Sequence, residues 1–69
     1  MTPAYPNPTS GVVTVESAEN GNAYLYDITG KIIKNITLNK GKNNIDLTNC
    51  PSGNYLLKGN SIFSKIIKK

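Results

Sequence analysis

Turn-forming residues interrupt this chain about every ten positions, and the runs between them are short and β-favouring, a spacing that suits an antiparallel sandwich or barrel. In the first run, Val12 to Glu16, Val13 and Val15 fall on one face and Thr14 and Glu16 on the other. Glu19-Asn20-Gly21-Asn22 reads as a turn, because Asn-Gly tolerates the positive φ of tight hairpins. Ala23 to Asp27 is the second run, with Ala23 and Leu25 opposite Tyr24 and Tyr26. Asp27-Ile28-Thr29-Gly30 is a further turn, in which Asp bonds backbone N–H groups two residues on and Gly30 takes a left-handed conformation.

Lys31 to Leu38 predicts a third strand with Ile32, Ile36 and Leu38 on one face, although Lys34 breaks the pattern and Ile33 blurs its phase. Asn39 to Lys42 turns the chain, Ile45 and Leu47 mark a short fourth strand, and Asn49 to Gly53 turns it again. Tyr55 to Lys58 is the fifth run, with Tyr55 and Leu57 inward, and Gly59-Asn60 makes the last turn. In the tail, Ile62, Phe63, Ile66 and Ile67 also match a helical stripe with lysines opposite, the pattern of a membrane-surface helix. Its length falls below the ~12 to 15 residues at which isolated helices become even marginal, and its isoleucines favour a strand.

A chain of 69 residues makes one domain. It buries only ~60% of the surface its unfolded form exposes, which leaves little room for an enclosed active site. The net charge of +4 comes from eight lysines without a single arginine, set against Glu16, Glu19, Asp27 and Asp46. Nucleic acid is therefore a poor partner, since readers of bases and phosphates favour the arginine fork and single-strand binders line a groove with aromatics. The lysines read instead as solubilising groups and guards of sheet edges.

With no histidine, neither a Ser-His-Asp mechanism nor an imidazole metal site is open to the chain, and the single Cys50 forms no internal disulfide. Cys50 reads as a small buried hydrophobe, and Asp27 and Asp46 as organisers of backbone rather than a catalytic pair. No enzyme activity, cofactor or metal is expected. Asn35-Ile36-Thr37 fits a glycosylation acceptor only formally, and Tyr5, Tyr24, Tyr26 and Tyr55 suggest a sugar-stacking platform weakened by the lack of tryptophan. No apolar run approaches the ~20 residues that span a bilayer, and Met1 to Ser10 lacks the basic start and apolar stretch of a signal peptide. The chain thus reads as the piece of a longer precursor whose export signal, if it is secreted, lies elsewhere.

Four motifs recur in order along the chain: YPNPTSG, YDITGKIIKN, GKNNIDLTNCPSGNYLLKG and SKIIKK. Together they resemble the type A C-terminal sorting domain of the Bacteroidetes type IX secretion system, over nearly the whole length. The resemblance implies an all-β fold, a small antiparallel immunoglobulin-like sandwich of six or seven strands, with residues 1–10 a linker and lead-in and 11–69 the sandwich. It implies a cleavable secretion signal rather than an enzyme. An N-terminal cargo crosses the inner membrane by its own signal, and the sorting domain then directs it through an outer-membrane translocon with the help of shuttle proteins. A surface peptidase removes the domain, and the cargo is released or attached to anionic lipopolysaccharide.

The positions matching the family are Tyr5, Pro6, Asn7, Pro8 and Gly11 in the lead-in, Asp27, Gly30 and Lys31 at the central turn, Gly53 and Tyr55 before the fifth strand, and Lys65 and Lys68 in the tail. Cys50 departs from the leucine usual before the Pro-x-Gly turn. The glycines and prolines read as backbone devices, and the tail lysines as the best recognition residues, on an edge strand that a receptor extends by strand addition. The rivals are an adhesive or carbohydrate-binding surface module and a plain spacer.

Overall fold

A computed structural model describes residues 3–60 and 62–69 of the chain. Seven strands are formed: β1 (Ala4–Tyr5), β2 (Val12–Ser17), β3 (Gly21–Tyr26), β4 (Ile32–Leu38), β5 (Gly41–Asp46), β6 (Gly53–Gly59) and β7 (Phe63–Lys68). They build two antiparallel sheets, one ordered β1-β2-β5 and the other β4-β3-β6-β7. This is the two-sheet arrangement of an immunoglobulin-like sandwich, with β4 paired to β3 rather than to β5. The tail is a strand.

The alternation read from the sequence places the core. Val13, Val15 and Ile45 of the three-stranded sheet face Ala23, Leu25, Tyr55, Leu57 and Ile66 of the four-stranded one, all of them buried. Leu47 lies at the end of β5 and is fully buried, and Cys50 in the following turn is buried as well. Inward and outward residues alternate strictly, so burial and period two agree over β2, β3, β5, β6 and β7.

The fourth strand runs Gly41–Asp46, so it takes in half of the expected Asn39–Lys42 turn and ends before Leu47, and two further expectations fail for a physical reason. Asn20-Gly21 is not a tight hairpin: β2 and β3 lie in different sheets, Gly21 has no positive φ, and the chain crosses over the end of the sandwich. Ile32 is not on the inner face. The pairing of β3 with β4 slips between Leu25 and Tyr26, so that Leu25 faces Lys34 while Tyr26 faces Ile32, and Ile33 is the extra residue of a β-bulge. The bulge turns Ile32 outward beside Tyr26 and leaves Lys34, Ile36 and Leu38 inward. Lys34 lies opposite Leu25 yet is exposed, and its ammonium donates to the Asp46 carbonyl of the other sheet. An inward-pointing lysine on an edge strand discourages further strands from pairing there.

Candidate functional site

The segment YPNPTSG does more than lead into β2. β1 pairs with β2 through Ala4 opposite Val15 and Tyr5 opposite Thr14, after which the chain leaves that sheet and runs along the outer edge of β7 in the other. The Tyr5-Pro6 and Asn7-Pro8 peptide bonds are both cis. The Asn7 amide donates to the Lys65 carbonyl at 2.8 Å, and its oxygen accepts from the Ile67 N–H at 2.9 Å. Thr9 continues the ladder: its N–H donates to the Ile67 carbonyl at 2.8 Å, and its carbonyl accepts from the Lys69 N–H at 2.8 Å.

Thr9 is 1% exposed, and its hydroxyl donates to the Val12 carbonyl and accepts from the Gly11 N–H. The two ends of the chain are therefore clasped, and the edge of β7 from Lys65 to Lys69 is already occupied. Gly11 lies where the chain passes close to the end of β5: its carbonyl accepts from the Leu47 N–H, and a Cβ there would stand 3.2 Å from the Thr48 hydroxyl.

The turn between β3 and β4 is a three-residue loop closed by Asp27 N–H donating to the Lys31 carbonyl at 2.9 Å. Gly30 completes it at φ 90°, a conformation a side chain would strain. One Asp27 carboxylate oxygen accepts from the Thr29 hydroxyl, the Thr29 N–H and the Lys31 N–H. The Thr29 hydroxyl foremost, then these N–H groups and the Lys31 charge, hold this carboxyl below its ordinary range against a smaller opposing effect of desolvation. Asp46 and Thr48 repeat the device after β5, and there too the threonine hydroxyl leads in lowering the carboxyl.

At the start of β6 the Tyr55 hydroxyl donates to the Pro51 carbonyl at 2.6 Å, the tyrosine corner of immunoglobulin-like sandwiches. Burial pushes this phenol above its ordinary range, with Cys50 and Asp27 adding to the effect.

A shallow depression of about 240 Å³ opens between these features, lined by Asp27, Ile28, Asn54, Tyr55, Leu56 and Lys65. It adjoins the outward face of the four-stranded sheet, where register builds two cross-strand rows. Ile32, Tyr26, Leu56 and Lys65 form one; Asn35, Tyr24, Lys58 and Phe63 form the other. Tyr24, Ile32, Phe63 and Ile67 are all more than a third exposed on this face. The outward face of the three-stranded sheet is more polar: Thr14 bonds to Asn44 and Glu16 stands opposite Lys42, with Tyr5 and Val12 its exposed apolar residues.

A profile of the secretion system C-terminal sorting domain matches residues 3–69, nearly the whole chain. The chain belongs to that family. It is a C-terminal sorting signal of the type IX secretion system, and a protein that carries it is secreted across the outer membrane. Comparison with curated proteins and with solved structures gives no match.

Within this sorting domain the twelve positions matched from the sequence fall into three groups. Tyr5, Pro6, Asn7 and Pro8 belong to the clasp, which meets the tail strand carrying Lys65 and Lys68, and Gly11 follows it. Asp27, Gly30 and Lys31 form the β3–β4 turn, and Gly53 and Tyr55 begin β6, where Gly53 pairs with Lys68. Asp27, Tyr55 and Lys65 come together at the depression. The four tyrosines do not form a platform: Tyr5 lies on one sheet, Tyr24 and Tyr26 on the other, and Tyr55 is buried at its corner. Thr9 completes the clasp, and its only sequence signal is its place directly after Pro8 in the lead-in motif.

Proposed function

We propose that this sorting domain acts as a folded, removable address that carries out no catalysis of its own. A cargo domain precedes it, the boundary falls ahead of Ala4, and the outer-membrane translocon and its shuttle proteins engage the folded module. A surface peptidase then cuts upstream of β1, so that the clasp leaves with the signal and the cargo is released or attached to the surface. What supports this reading is the extent of the family match, residues 3–69, which takes in both halves of the clasp.

The test is a fusion of residues 1–69 to the C-terminus of a periplasmic reporter in a bacterium with a working type IX system. The reporter should reach the surface or the medium, shorter by the mass of the domain. Retention in the periplasm with the domain folded would overturn the proposal.

A further inference from the structure

We propose that the outward face of the four-stranded sheet is the surface by which the signal docks, and that its occupant is an acidic protein surface carrying an apolar side chain that fills the depression beside Leu56. This rests on the sorting function proposed above. Three observations carry it. The face leaves Tyr24, Ile32, Phe63 and Ile67 at 39%, 52%, 40% and 39% exposure around the half-buried Tyr26 and Leu56, whereas the opposite outward face exposes Tyr5 and Val12 among Thr14, Glu16, Lys42 and Asn44. Adjacent rows of a sheet lie within side-chain reach of each other, so these groups form one patch rather than scattered contacts.

The second observation is charge. Lys58 stands between Tyr24 and Phe63 in one row, and Lys65 ends the other beside Leu56. Lys58 and Lys65 outnumber Asp27, whose carboxylate is taken up by Thr29 and Lys31 of its own turn, so the apolar face carries a net positive charge. Opposed potentials set the choice and orientation of a partner.

The third is the depression, lined by the apolar Ile28 and Leu56 together with Asp27 and Lys65, the form of pocket that takes a single anchoring side chain. Two copies placed face to face would set lysine against lysine.

The experiment uses the reporter fusion. Lys58→Glu with Lys65→Glu, and separately Tyr24→Ser with Ile67→Ser, should each cut export roughly tenfold or more while circular dichroism shows a folded domain. Lys58→Arg with Lys65→Arg should keep export near wild type. Lys40→Glu with Lys42→Glu makes the same charge change away from this face and should be harmless. Unimpaired export of both face variants overturns the inference, as does equal loss from the Lys40 and Lys42 pair. Sedimentation of the 69-residue chain with phosphatidylcholine vesicles doped with phosphatidylglycerol separates the occupants: binding abolished by the lysine reversals would replace the acidic protein with a membrane surface. If the wild-type fusion itself stays in the periplasm, the sorting proposal fails first.

Discussion

Tyr55 spends its one polar group on the Pro51 carbonyl four residues back, and the ring beneath it closes one end of the core. Removing the hydroxyl leaves the packing and takes away a single bond at a largely buried site. Tyr55→Phe should therefore lower stability by about 1 kcal/mol, which in a domain of this size is a fall of roughly 4–8 °C in Tm. An unchanged Tm would mean that the corner bond contributes nothing.

The two Asp-x-Thr turns make a different prediction. In the fold both carboxyls lie below the ordinary value of 3.8, so the folded state favours the ionised form. Their contribution is complete above the unfolded value and is lost as pH falls through the lower folded ones. Asp27→Ala should melt below wild type at pH 7, and the gap should close as pH drops below 3.8. A gap that stays constant into acid would show that the bonds to Thr29 and Lys31 do not depend on the charge.

At the scale of elements, the clasp is the contact that joins what the chain holds furthest apart. Asn7 reaches Lys65 and Ile67 across 58 and 60 positions, and Thr9 finishes the same edge. Asn7→Ala should speed hydrogen exchange at the Ile67 amide, which bonds to the Asn7 side chain, and spare the Lys69 amide, which bonds to Thr9. Equal acceleration at both would mean that the segment leaves β7 as a unit.

The strands were largely legible because Val13, Val15, Leu25, Tyr55 and Leu57 obey strict alternation, and the Asp27–Gly30 turn because Asp and Gly sit at the offsets such loops demand. Ile32 was not, since a bulge is invisible to a period-two reading. Nor was the clasp. Its bonds come from one asparagine side chain and two peptide groups at long separation, and neither leaves a periodic trace. The outward apolar face hid for a related reason: Tyr24, Tyr26 and Leu56 occupy the positions that alternation assigns to water.

For the whole molecule, the two sheets divide the work. The three-stranded sheet turns a mainly polar surface outward, broken by Tyr5 and Val12, and the four-stranded sheet carries Tyr24, Phe63, Lys58, Lys65 and the depression. The tail that the sequence offered as an open edge is covered by residues 7–9, so its lysines project beside a closed ladder rather than beside free backbone. Strand addition along Lys65 to Lys69 would first have to displace Asn7 and Thr9, whereas docking on the sheet face leaves the clasp in place. Recognition and structural integrity can then be separated by mutation, because Lys58 and Lys65 are exposed while Ile66 between the clasp and the core is fully buried.

The clasp also bears on when the signal comes into being. A ribosome releases Asn7 and Thr9 well before their partners at Lys65, Ile67 and Lys69, so the clasp cannot close until those partners have been made. A polypeptide that stops short never closes its clasp. The finished sandwich thus requires every strand from β1 to β7 to have been made before its two ends can meet.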